Sequence, residues 1–149
     1  MAVDMFLKLQ DIKGESVDRT YKGEIDILAW SWGMSQSGTT HTSEGSGAGK
    51  VNVQDISITK YIDQSSPTLM QFISQGKHIP TAQLIVRKAG DKPLDYIVID
   101  MTDVIITSLS TGGSGGEDRL TENITLNFAK VKYVYQSQDK KGSGAAAPE

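Results

Sequence analysis

Phosphate chemistry is the first candidate, because "GSGAGK", Gly45 to Lys50, ends on a glycine-lysine pair. A Walker loop needs glycine five positions before that pair and Ser or Thr after the lysine, to reach magnesium. Glu44 and Val51 stand there instead, and a carboxylate facing phosphate would repel it. The stretch reads as a flexible hairpin loop. A second glycine-rich run, "TGGSGGED" from Thr111 to Asp118, joins two strands and opens no helix, so no helix dipole faces an anion. It reads as a turn.

The acid–base and metal candidates are equally sparse. His41 and His78 are the only histidines, and neither has a second histidine at metal-ligand spacing. Asp100 with Asp103, and Glu24 with Asp26, could face one another as carboxylate pairs. General acid–base work also needs an enclosed site, and nothing here marks one, so exposed strand-end charge is the plainer reading. Serines abound without a G-x-S-x-G elbow. Asn123-Ile124-Thr125 matches the glycosylation acceptor pattern but falls inside a strand, and is taken as chance. With no cysteine, thiolate zinc sites, disulfides and cysteine nucleophiles are excluded. The expectation is a protein without catalytic residues, metal or cofactor, and not an enzyme.

The elements that would position any site are short strands. The chain has 149 residues, which suits one domain. A formal net charge of −3 argues against nucleic acid, whose phosphates call for a basic patch. No apolar run approaches the length that spans a membrane. "MAVDMFLKLQD" lacks the basic-then-apolar pattern of a secretory signal peptide. Alternating apolar positions predict strands over Met5–Leu9, Tyr21–Met34, Val51–Tyr61, Ala82–Arg87, Tyr96–Met101, Val104–Leu109 and Leu120–Tyr135. Two of these slip phase. Ile25 and Ile27 give way to Leu28, Trp30 and Trp32; Ile124, Leu126 and Phe128 give way to Val131, Tyr133 and Tyr135. A one-residue slip is what a β-bulge produces, and bulges turn the corners of barrels.

"SSPTLMQFISQGK" predicts the one helix, with Ser66 as cap, Pro67 in the first turn and Gly76 ending it in a left-handed conformation. The polar segment from Ser35 to Lys50 predicts an extended loop, and the tail over 138–149 has nothing to bury and is expected to be disordered. The fold class expected is mainly β: a small closed β-barrel of two packed sheets, one α-helix at its side and an extended loop.

From Leu28 to Gly38, "LAWSWGMSQSG" places Leu28, Trp30, Trp32 and Met34 on one face and Ala29, Ser31, Gly33 and Ser35 on the other. Burying one indole is worth at most about 4–6 kcal/mol. The heavy face is therefore expected in the core. The bare, polar face is left for water or a closely approaching partner. A platform of exposed tryptophans in a carbohydrate-binding β-barrel module is the rival reading.

Five segments give these features a family likeness. "FLKLQDIKGES", "EIDILAWSWGMSQSG", "GAGKVNVQDISITKYID", "SPTLMQFISQGKH" and "TGGSGGEDRLTENITLNFAKV" occur in this order. Together they closely resemble the hemolysin-coregulated protein (Hcp) family, the tube proteins of bacterial type VI secretion. The resemblance runs from Met1 to about Tyr135, and the tail matches least. It implies a tube domain over residues 1–137, six copies in a ring, stacked rings, and effector proteins held in the lumen. It also implies contacts with spike, sheath and baseplate proteins, and export from the bacterial cytoplasm through the machine, without direct membrane insertion. On that implication Ser31 faces the lumen and its cargo. Thr40, His41, Thr42 and Glu44 at the loop tip then touch a neighbouring copy, within the ring or between stacked rings.

Overall fold

A computed structural model describes residues 3–36, 50–88, 93–138 and 144–145. The strands are β1 (Val3–Leu9), β2 (Ile25–Ser31), β3 (Met34–Gln36), β4 (Val51–Val53), β5 (Ile56–Tyr61), β6 (His78–Lys88), β7 (Leu94–Thr111), β8 (Thr121–Tyr135), β9 (Ser137–Gln138) and β10 (Gly144–Ala145). Helix α1 (Ser65–Gln75) lies between β5 and β6. Six strands close a barrel in the order β1-β2-β5-β8-β7-β6, and β3 pairs with β4 in a small separate sheet. The mainly β barrel with one helix is thus the fold the sequence leads one to expect. The tail was expected to lack structure. Its Gly144–Ala145 pairs with Ser137–Gln138.

Inward alternation builds one core: Leu7 and Leu9 from β1, Ile25 and Ile27 from β2, Ile56 and Ile58 from β5, and Ile124 and Leu126 from β8, with Leu69 of α1 beneath. The bulge expected after Ile27 is present, as a register shift between Ile27 and Ala29 against β5. Beyond it Trp30 stands opposite Ile58, which is buried, so the indole turns toward the core.

The long strand of the sequence reading starts later, at Ile25. Gly14 N–H donates to the Gly23 carbonyl at 2.8 Å and Ser16 N–H to the Glu24 carbonyl at 2.9 Å, which holds the preceding segment in a turn. Gly14 itself has no room for a side chain, since a Cβ would lie 2.6 Å from the Glu24 carbonyl oxygen.

The two strands expected over Tyr96–Met101 and Val104–Leu109 are a single strand, β7. Asp103 takes a left-handed φ of 55°, and pairing runs on through it: Thr102 opposes Lys130 and Val104 opposes Phe128. The buried set switches from Ile99 and Met101 to Val104 and Ile106 at this point. The neighbours switch at the same level, from Ile79 to Ala82 on β6 and from Phe128 to Val131 on β8. Three adjacent strands therefore bend along one line, which turns the barrel corner without losing register.

Helix α1 ends as its sequence predicts. Gly76 has φ 60°, its N–H donates to the Ile73 carbonyl at 3.1 Å, and Lys77 N–H donates to the Phe72 carbonyl at 3.0 Å. The helix start differs. Asp63 Oδ1 accepts the Ser65 N–H at 2.8 Å, while the expected cap, Ser66, is buried and accepts from the Asp63 N–H at 3.1 Å.

Candidate functional site

The outer face of β2, β5, β8 and β7 carries an ordered lattice of small polar side chains. Cross-strand partners in an antiparallel sheet project to the same face. Ser31 pairs with Ser57, Ser57 with Thr125, and Thr125 with Ser108, a row of four hydroxyls across four strands. The next row is Ala29, Thr59, Asn123 and Ser110. Ser31, Ser57, Ser108, Ser110 and Asn123 are exposed. Neither row contains a charged residue.

Local geometry knits the face together. Thr59 Oγ1 donates to Asn123 Oδ1 at 2.7 Å. A second bulge, between Ile106 and Ser108 on β7, sets two residues against Thr125 alone. It turns Thr107 outward beside Ser108, and both hydroxyls lie 2.6 Å from Thr125 Oγ1. Asp55, just before β5, accepts from Thr107 Oγ1 at 2.7 Å and from Asn127 Nδ2 at 2.8 Å.

Such a face suits reversible, adaptable contact with a protein surface, because hydroxyls donate and accept in many orientations. Among the described residues no group of three or more His, Asp or Glu is placed to hold a metal. Of the carboxylate pairs considered in the sequence, Asp100 and Asp103 have other partners: Asp100 accepts from Gln83 and Asp103 is paired with His78. No helix among the described residues is long and apolar enough to cross a membrane.

Ser31 stands where alternation put it, exposed on the bare face. Its partners Ser57, Thr125 and Ser108 escaped the sequence reading, because a row exists only once register is known. Thr40, His41, Thr42 and Glu44 lie outside the described residues. The heavy face needs correction. Trp30 and Trp32 are half-buried and pack on the core, but Leu28 is 39% exposed and Met34 55%. Leu28 sits in the bulge, and Met34 belongs to the small β3–β4 sheet outside the barrel. Trp32 caps the barrel end: Nε1 donates to the Gln54 carbonyl at 2.8 Å, and its ring stacks on Tyr133 and meets Phe128 edge-on. With its polar edge and a face both engaged, it is no open sugar platform.

Comparison with known proteins agrees with this architecture. The family model described as type VI secretion system effector, Hcp, matches residues 6–135. The chain is 60% identical over 149 residues to protein Hcp1 of Pseudomonas aeruginosa, covering 99% of this chain and 92% of that protein. A solved structure of a type six secretion system protein superposes with a TM-score of 0.89 at 31% identity, covering 97% of this chain and 91% of the other. Hcp1 from Salmonella typhimurium superposes with a TM-score of 0.79 at 40% identity, covering 97% and 92%.

Proposed function

Since the chain belongs to the Hcp family, the secreted tube proteins of type VI systems, we propose that six copies close into a ring, that rings stack into the inner tube, and that effector proteins travel in its lumen. The observation that carries this reading is the pair of strand edges flanking the hydroxyl face. β1 pairs with β2 at Phe6–Asp26 and Leu7–Ile25, so from Ile27 to Ser31 no described strand lies on that side of β2. On the opposite side, pairing of β6 with β7 ends at His78–Ile105, and from Ile106 to Thr111 β7 has β8 alone as strand partner. Unpaired strand edges invite pairing or close packing with another chain.

The two edges are different surfaces on opposite sides of one sheet. Contact between unlike surfaces is head-to-tail, and closes a ring when the rotation per copy divides a full turn. In such a ring the β2-β5-β8-β7 sheets form one continuous wall. The hydroxyl rows then line its inside, with Ser31 toward the cargo. A wall of exposed hydroxyls makes many weak, exchangeable contacts with a passing protein, as a conduit requires. Spike, sheath and baseplate proteins are the partners at the tube's ends and outside, and the tube assembles in the bacterial cytoplasm before the machine exports it.

The native mass in dilute solution, followed by electron microscopy, tests the reading. Six-fold particles with a central opening are expected at micromolar concentration. A monomer that forms neither rings nor stacks would overturn it.

A further inference from the structure

The geometry points to a polarised capture point at the β7 bulge, made by Ser108, Thr125, Thr107 and Asp55, that receives the cationic side chains of a cargo segment. This deepens, and rests on, the reading of the hydroxyl face as a lumen wall. The bulge makes it, because only the register shift between Ile106 and Ser108 brings two hydroxyls outward against one.

Proton counting gives the cluster a direction. A hydroxyl carries one proton, and an ionised carboxylate only accepts. Thr107 Oγ1 has two acceptors in reach, the Asp55 carboxylate at 2.7 Å and the Thr125 carbonyl at 3.3 Å, and its one proton goes to the nearer, charged one. Its 2.6 Å contact with Thr125 Oγ1 therefore has Thr125 as donor. With that proton used, the 2.6 Å contact between Thr125 and Ser108 has Ser108 as donor. The chain runs one way, Ser108 to Thr125 to Thr107 to Asp55, with Asn127 Nδ2 donating into the other carboxylate oxygen. All three hydroxyl protons point along the cluster, so it offers its surroundings lone pairs, chiefly those of Ser108.

Charge selects the partner. Among the described residues no ion pair includes Asp55, and the two neighbouring rows hold no lysine or arginine. Among the described residues the cluster therefore combines a carboxylate outside any ion pair with outward acceptors. An acidic segment is repelled there, while a lysine ammonium or arginine guanidinium brings both charge and donors.

Fluorescence anisotropy with labelled acetyl-(Lys-Gly)4-amide on the full chain tests this, with circular dichroism as the fold check. The lysine peptide is expected to bind and acetyl-(Glu-Gly)4-amide not to. Asp55→Asn should weaken binding roughly two- to fivefold, the range of an exposed charge pair. Ser108→Ala should weaken it as well, although no charge changes. Glu117→Gln, the same charge change on the exposed glycine-rich loop, should leave it unaltered. Equal losses for Asp55→Asn and Glu117→Gln would mean diffuse attraction and overturn the site, as would equal binding of the acidic peptide. No effect of Ser108→Ala would overturn the directed chain. Sedimentation of the same samples reads ring formation independently. Rings without site-specific peptide binding sink the capture point alone, and site-specific binding by a chain that never forms rings sinks the tube alone.

Discussion

Lys60 on β5 and Glu122 on β8 face each other in register and form an ion pair in which neither side chain is exposed to solvent. Ser66 donates to the same carboxylate oxygen of Glu122 at 2.5 Å, and Lys60 Nζ also reaches Asp63 at 3.2 Å and Ser66 at 3.3 Å. The ammonium thus ties the start of α1 to two barrel strands. Removing one partner strands a charge in the core, so Lys60→Ala should cost about 3–5 kcal/mol. The double replacement Lys60→Met with Glu122→Leu should cost clearly less, because it also removes Glu122 Oε2, which is buried without a hydrogen-bond partner. Urea unfolding of the three variants checks the order. A double variant less stable than Lys60→Ala would contradict it.

The Arg87–Asp18 ion pair predicts a stability that falls in acid. The Arg87 guanidinium takes both carboxylate oxygens of Asp18, at 2.5 and 3.0 Å, and packs against the rings of Phe6 and Tyr21. The Arg87 hydrogen bond is the main cause holding the Asp18 carboxyl at about 2, against an ordinary 3.8. A lowered carboxyl contributes stability in full above its unfolded value, near 3.8, and loses that contribution as pH falls through about 2. Asp18→Asn should therefore be less stable than the parent at neutral pH, with the difference narrowing across that window. Urea midpoints measured at a series of pH values test the sign. A gap that stays constant down to pH 2 would remove Asp18 as the source.

The sequence made strands, helix and corners legible wherever side-chain period alone decides them. The slip after Ile27 and the glycine at 76 are local signals, and both features stand where the pattern put them. Asp103 misled for a local reason as well. A non-glycine residue at positive φ inside a continuous strand has no periodic signature, so "MTDV" read as a break. Lys60 and Glu122 were illegible for another reason. A charged residue in a strand reads as solvent-facing until its partner, here 62 positions away, is brought opposite. The hydroxyl face was half legible: alternation marked Ser31, whereas the row through Ser57, Thr125 and Ser108 follows from register.

The heavy face of β2 divides energetically at the bulge. Trp30 stands opposite Ile58 and packs on the core while only partly buried, whereas Leu28 keeps 39% of its surface in water. Trp30→Ala should cost about 2–3 kcal/mol, below the usual range for a wholly buried aromatic residue. Leu28→Ala should cost about 1 kcal/mol or less in the monomer. Urea unfolding under conditions that keep the chain monomeric compares them. Equal costs would mean that the bulge does not separate the two residues.

Ser31 tests the lumen reading most directly. It ends β2 on the outer face, exposed, opposite Ser57 and at the head of the hydroxyl row. Ser31→Gln keeps the position uncharged and polar, adds bulk where a cargo surface would pack, and removes no core contact. Circular dichroism and sedimentation should match the parent, while retention of an effector protein mixed with the rings should change. Val17→Gln, at a residue 93% exposed on the segment between β1 and β2, serves as a control and should leave retention unaltered. Loss of the ring in Ser31→Gln would instead place the residue at a contact between copies. Unchanged retention of every effector tested would remove Ser31 from the cargo surface, because a side chain that large cannot project from a lumen wall without meeting what the lumen holds.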